Sequence, residues 1–446
     1  MMNLNSYPKD WKQIKLRQIL RPFSEKNHPD LPLLSVVREK GVIVRNVNDK
    51  EENHNYVPED LSNYKRVNRG QFAMNKMKAW QGSYGISKYD GIVSPAYFVF
   101  DVDGDINLDF FNVAIRSQVY VSYFGQASDG IRVGQWDLSM QRMKEIPFLV
   151  PPRTEQDQIV QFLDWKVSAI NRLIKSYRHR IELISLMEQK IINDYLTHGC
   201  RKNRNLKKVT DNVTSRWMSD IPDNWKESKI GRHFVIKKRI AGREGYPVLS
   251  ITQRGIKEKD IASNEGQMAS NYSGYQFVYP GDFAMNHMDL LTGYIGIASQ
   301  LGVTSPDYRV FALEDTDNCY APYYLLLFQL CYKRRIFYAH GRGAAAKGRW
   351  RFPADNFKRF IIPLPPINEQ REIVESIKPI QIKSAKLIAN IEKKIETLTE
   401  LKNRLIADTV TGKIDVRNIE IPEYEFVREE SQAEEEFDAE GSDNGE

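Results

Sequence analysis

The strongest constraint on this chain is that it carries one pattern twice. "PPRTEQDQIV" at 151–160 and "PPINEQREIV" at 365–374 share two prolines, a Glu-Gln pair and a final Ile-Val at an offset of 214. Residues 70–100 and 281–311 align without gaps, with 15 of the 31 positions identical at an offset of 211. Gly134-Gln135-Trp136 matches Gly348-Arg349-Trp350 at 214 again, so the second copy gained three residues between the two blocks. Upstream, Trp11-Lys12 pairs with Trp225-Lys226, and "LLSV" at 33–36 resembles "VLSI" at 248–251. Self-similarity over this length means one structural unit built twice.

Each copy begins as a mixed domain. Short apolar runs bounded by Gly, Pro or Asp, such as "FAMN", "AYFVF" and "YRVF", read as strands. "LDFFNVAIRSQVYVSYF" and "APYYLLLFQLCYKRRIFYA" have helical length and period. After each Pro-Pro the period becomes helical for several heptads. Leu163, Val167, Ile170, Ile174, Tyr177, Ile181 and Ile184 mark one seam, and Ile373, Ile377, Ile380, Leu387, Ile391, Leu398, Leu401 and Leu405 the other. The fold class expected is α+β, with two pseudo-symmetric mixed domains and two long antiparallel coiled-coil helices. The boundaries read as domain one at 1–152, helix one at 153–198, a basic linker at 199–214, domain two at 215–366, helix two at 367–413 and an acidic tail at 414–446.

The repeated phrase has a local physical reading. Prolines end the preceding strand and disfavour helix before them. Thr154 and Asn368 are expected N-caps, and Glu155 and Glu369 place negative charge in the first turn, beside Gln156 and Gln370.

The net charge of +6 hides an asymmetry. From Glu420 to Glu446 there are twelve acidic residues and one basic residue, Arg428, so the tail carries −11 and the rest of the chain +17. A basic body points to a polyanionic partner, nucleic acid first, and the polar tail is expected to be disordered. Cys200, Cys319 and Cys331 show no metal or disulfide spacing, and the N-terminus shows no secretory signal, so a cytoplasmic setting is expected. No apolar run is long enough to span a membrane.

With its two "PPxxEQ" phrases, each opening a heptad helix, and the block "FAMNKMKAWQGSYGISKYDGIVSPAY", the chain resembles the specificity (S) subunit of type I restriction–modification systems. The resemblance covers everything but the tail, although helix one ends "YLTHGC" where helix two ends "TVTGKID", the form more usual in that family. It implies two target-recognition domains reading a bipartite, asymmetric double-stranded DNA target, and no catalysis by the chain itself. The implied partners are two methyltransferase (M) subunits using S-adenosylmethionine and motor-nuclease (R) subunits using ATP and Mg, with no cofactor or metal held by this chain. Two helices of this length paired antiparallel would hold the domains apart by a fixed spacer.

The repeat also sorts candidate DNA contacts. Positions identical in both copies cannot make two half-sites differ, so Phe72/Phe283, Gly82/Gly293 and Tyr97/Tyr308 are assigned to scaffold. Asn75/Asn286 reads either as an adenine contact or as a strand-end turn residue. Positions that differ within the aligned frame are better candidates: Lys76/His287, Lys78/Asp289, Trp80/Leu291, Gln81/Thr292 and Ser83/Tyr294. A second group precedes each conserved Trp: Arg132 and Gln135 in copy one, and Arg342, Lys347 and Arg349 in copy two. Two other classes fit the sequence less well. A fused methyltransferase–nuclease lacks its motifs here, since "VPPR" and "LPPI" have neither the polar residue before nor the aromatic after the prolines, and no Glu-x-Lys follows Pro306-Asp307; no phosphate-binding GxxxxGK[ST] loop occurs either. A non-DNA coiled-coil scaffolding adaptor is disfavoured by the +17 body.

Overall fold

The computed structural model describes residues 7–45, 58–132, 135–201, 204–252, 255–260, 271–291, 293–343 and 350–428, apart from the side chains of Ile131, Arg132 and Gln135. The chain divides into two compact units, Met1–His179 with Ile391–Glu446, and Arg180–Asn390. Each unit therefore holds one mixed domain and one end of each long helix.

In the first unit a four-stranded antiparallel sheet runs in the order Leu20–Phe23, Tyr97–Val102, Phe72–Asn75, Tyr84–Ile86. The second unit repeats the order with Phe234–Lys237, Arg309–Leu313, Phe283–Met285 and Ile295–Ile297. The registers match: Phe72 sits opposite Phe100, and Phe283 opposite Phe311. These aromatic cross-strand pairs favour one register over its neighbours, because a one-residue slip would turn the slipped strand's ring to the other face, away from its partner. Against each sheet pack apolar helices, Leu108–Ile115 with Gln118–Gln126 in the first domain and Ala321–Lys333 in the second. Phe110, Phe111, Tyr120 and Phe124 are buried in one core, and Tyr323, Tyr324, Leu327 and Phe328 in the other.

The long helices span Arg153–His198 and Ile367–Val410. In the first unit, Leu163 near the start of the first helix shares a core with Ala407 and Val410 at the end of the second. In the second unit, Ile192 and Leu196 at the end of the first helix share a core with Ile373 and Ile377 at the start of the second. The two helices thus run antiparallel.

A small strand pair closes each domain onto its helix. Lys12–Lys15 pairs with Pro147–Val150, and Lys226–Lys229 with Ile361–Leu364. This pairing carries the preceding Trp to the helix start, where the Trp11 indole Nε1 donates to Glu155 Oε2 at 3.0 Å and Trp225 Nε1 to Glu369 Oε2 at 3.1 Å. The neighbouring Gln is fully buried. Gln156 Nε2 donates to the Pro151 carbonyl at 2.9 Å while its Oε1 accepts from Asn107 N–H at 2.8 Å. Gln370 does the same, with Pro365 at 2.8 Å and Tyr320 N–H at 2.7 Å. The Glu-Gln pair therefore fastens the domain to its helix.

Thr154 and Asn368 are not the caps expected. The helices start two residues earlier than such caps would place them, at Arg153 and Ile367, and the carbonyls of Pro152 and Pro366 accept the first amide bonds. Proline supplies the extended backbone of a capping position, and the missing N–H costs nothing there. The tail also departs from expectation at its start. Val416 is fully buried, and Gln158 Nε2 donates to the carbonyls of Val416 at 3.2 Å and Ile419 at 2.8 Å. Further on, Asn171 Nδ2 donates to the Val427 carbonyl at 3.0 Å. Residues 414–428 thus lie along the first helix, because Ile414, Val416, Ile419 and Ile421 offer apolar contacts that the count of acidic residues masks. The rest of the tail, 429–446, lies outside the described residues.

Candidate nucleic-acid interface

In both domains the strands Phe72–Asn75 and Phe283–Met285 lead into a turn shaped by an asparagine, Asn75 or Asn286. Asn75 Oδ1 accepts from Met77 N–H at 3.1 Å, and Asn286 Oδ1 from Met288 N–H at 3.2 Å. These are Asx turns, so the invariant asparagine shapes the loop. Tyr97 and Tyr332 reinforce it, the first accepting from Asn75 Nδ2 at 3.3 Å and the second donating to the Asn286 carbonyl at 2.8 Å. The paired glycines close the loop for different reasons. Gly82 has φ of 92°, whereas a Cβ at Gly293 would lie 2.0 Å from the Asp289 carbonyl oxygen.

The candidates on this loop divide sharply. In the first domain Lys78 is exposed, Gln81 is half-buried, and Lys76 Nζ pairs with Asp137 at 3.1 Å. Trp80 packs on Trp136 with ring centroids 5.1 Å apart, its Nε1 buried without a partner among the described residues. In the second domain Leu291 is exposed, while His287 and Asp289 are half-buried. Ser83 and Tyr294 were expected at the surface, but they are 2% and 8% exposed. Each directly precedes the strand that returns into the sheet, and its carbonyl accepts from the invariant asparagine's N–H at 3.0 Å, so strand pairing draws it inward. Thr292, Lys347 and Arg349, and the side chains of Arg132 and Gln135, lie outside the description.

The second group sits on a hairpin in the first domain, where Ser128–Arg132 pairs with Gln135–Leu138. Its counterpart in the second domain is a single antiparallel bridge between Arg342 and Arg351. Loop and hairpin are tied together identically: Leu138 N–H donates to the Lys76 carbonyl at 3.1 Å, and Phe352 N–H to the His287 carbonyl at 2.9 Å. Each domain thus presents two variable segments as one surface.

Reading the sequence by loops missed Arg309. It replaces Phe98 of the first copy, is 5% exposed, and donates from Nη2 to the Phe352 carbonyl at 2.7 Å. Its guanidinium lies over the Phe357 ring at 4.9 Å, and burial pulls its pKa down to about 10, so it stays charged at neutral pH. Beside it, burial foremost, then the charges of Arg309 and Arg351, pull the His287 pKa down to about 4. The aligned-frame difference Phe98/Arg309 was visible, but only the fold brings a strand residue under the loop.

Sequence spacing also hid one polar cluster. His233 Nδ1 meets Asp315 Oδ2 at 2.6 Å and Nε2 meets Ser228 Oγ at 2.7 Å, with Cys319 close by. Ser228 and His233 replace Ile14 and Ile19 of the first copy. Both ring nitrogens are already satisfied, so the cluster is a self-contained buried network that ties the first strand to the turn before Ala321.

The model for the type I restriction modification DNA specificity domain matches residues 222–397. A curated relative, assigned as the MjaX specificity subunit of a type I restriction enzyme in Methanocaldococcus jannaschii, is 24% identical over 301 residues. That alignment covers 64% of this chain and 63% of the relative, so the chain spans less than two thirds of the relative's length. A chain from a structure concerned with complex assembly and conformational transition of the type I R-M system superposes with a TM-score of 0.57 at 13% identity. It covers 92% of this chain and 100% of that one, and so shows the same fold. The HsdS subunit of Thermoanaerobacter tengcongensis matches more loosely, with a TM-score of 0.41 at 14% identity over 92% of this chain and 98% of that one.

Proposed function

We propose, from the premise that this chain belongs to the family of type I restriction–modification specificity subunits, that its two domains each read one half of a bipartite double-stranded DNA target. One observation carries the reading. A single scaffold occurs twice, and the two copies carry different side chains and charges on the same paired loop and hairpin. Protein that only braced partners would have no need to vary that surface against a constant frame. Within this reading the exposed Lys78 and Leu291, the half-buried Gln81, His287 and Asp289, and the hairpin cations are the contacts to bases and phosphates.

The chain acts without catalysis of its own, by placing methyltransferase and motor-nuclease subunits; S-adenosylmethionine, ATP and Mg belong to those partners. Large apolar side chains exposed on the long helices support the scaffolding part: Leu183, Leu186 and Met187 on the first, Ile382 and Leu387 on the second. No helix among the described residues is long and apolar enough to cross a membrane. The test is base-resolved mapping of methylated adenines in the host before and after deletion of the gene. A two-part motif that vanishes on deletion and returns on complementation is expected. A methylation pattern indifferent to the gene sinks the proposal.

A further inference from the structure

The corresponding hairpins of the two domains carry opposite charge. In the first, Asp129 stands directly across from Asp137. Like charges at facing positions destabilise a strand pair. The first domain relieves this from within, because Arg142 pairs with Asp129 and Lys76 pairs with Asp137.

In the second domain the facing residues are Arg342 and Arg351, both exposed, hydrogen-bonded backbone to backbone at 2.8 and 3.0 Å. Arg309 lies beneath them, its guanidinium fastened to the carbonyl of the residue after Arg351. Among the described residues no carboxylate forms an ion pair with Arg309, Arg342 or Arg351. The neighbouring loop brings one acid, Asp289, whose charge is felt at Tyr308 and Tyr332. The stretch from Gly343 to Trp350 contains no acid and adds Lys347 and Arg349. Repulsion that the first domain neutralises internally is left standing in the second.

Resting on the DNA-reading proposal, we infer that Arg342 and Arg351, backed by the buried charge of Arg309, form a phosphate-binding site for the DNA backbone, and that the first domain lacks its equivalent. An anion between two facing arginines turns their repulsion into two charge-assisted bonds, and arginine's fork matches phosphate geometry. The low-dielectric position of Arg309 strengthens the field at that point without contacting the anion. The second domain is thus the electrostatic anchor of the pair, whereas the facing acids of the first are neutralised by Arg142 and Lys76.

The test measures binding of the full chain to a labelled random-sequence duplex across a salt series. Arg351→Asp should weaken binding roughly tenfold and flatten the log–log salt slope by about 1, the loss expected for one phosphate contact. Asp137→Arg should steepen the slope by about 1 through a new cation in the first domain. Arg351 is exposed, so folding is retained, and an unchanged thermal midpoint verifies that. Parental affinity and slope in Arg351→Asp would overturn the site while leaving the DNA reading intact. A parent that binds no duplex at all instead counts against the DNA reading. Inorganic pyrophosphate then decides the site: a thermal shift in the parent that Arg351→Asp abolishes retains it, and no shift in the parent overturns it.

Discussion

Glu155 shows how one repeated letter of the sequence becomes a constraint. Its carboxylate is 6% exposed, accepts the Trp11 indole N–H, and has Arg417 Nε 4.0 Å from its other oxygen. Burial raises its pKa above the ordinary carboxyl value of 4.5, with Trp11 and Arg417 opposing the rise. A raised carboxyl pKa means that the stability contributed by this group is fully present below 4.5 and is lost as pH rises through the folded value. Trp11→Phe keeps most of the ring but removes the donor, so the ionised carboxylate is left still less compensated. The expected loss is about 1–3 kcal/mol at pH 7, the cost of an unsatisfied buried acceptor. At pH 4, where the carboxyl is largely protonated, the loss should be smaller. Urea midpoints of parent and variant at both pH values measure this, and equal losses at the two would count against the account.

At the scale of elements, the second copy repeats this arrangement with a partner from elsewhere in the chain. Glu369 takes Trp225 and an ion pair from Arg204. Arg204 follows the end of the first helix, and Arg417 follows the end of the second. The segment leaving each helix therefore locks the start of the other. The signal was present: Gly199-x4-Arg204-Asn205 and Gly412-x4-Arg417-Asn418 repeat at an offset of 213. That offset misses the 214 of the flanking joints by one residue, which conceals the match. Helix periods and strand runs were legible because apolar periodicity follows packing, although Leu387 and Leu401 of the second seam are 44% and 52% exposed. The pairing of loop with hairpin, and the inward turn of Ser83 and Tyr294, were not, since each depends on a strand register that only tertiary contact sets. The same holds for Val416. Truncating it to Ala removes two buried methyl groups and should cost about 1–3 kcal/mol. Phe426→Ala, at a position 56% exposed, should stay within about 0.5 kcal/mol. Chemical denaturation of both variants checks the contrast, and a silent Val416→Ala would mean that the segment is not held against the helix.

For the whole molecule, the consequence is modularity with a specified seam. Each domain core is completed by residues of both long helices, Leu163, Ala407 and Val410 for the first, Ile192, Leu196, Ile373 and Ile377 for the second. Among the described residues each sheet packs into the core of its own unit, so one domain is exchanged without repacking the other. The seam must preserve the Trp11–Glu155 bond, the Lys12–Lys15 pairing with Pro147–Val150, and the Gln156 bond to Asn107 N–H. A chimera taking residues 12–150 from a type I restriction–modification specificity subunit, with an asparagine kept at the 107 equivalent, meets those conditions. Mapped by base-resolved methylation, it should recognise a target changed in one half and parental in the other, at the parental spacing, because the helices are untouched. If both halves changed, the identity of each half would depend on side chains shared across the helices, and the assignment of one reader to each unit would be wrong. If the spacing alone changed, the long helices would not set it.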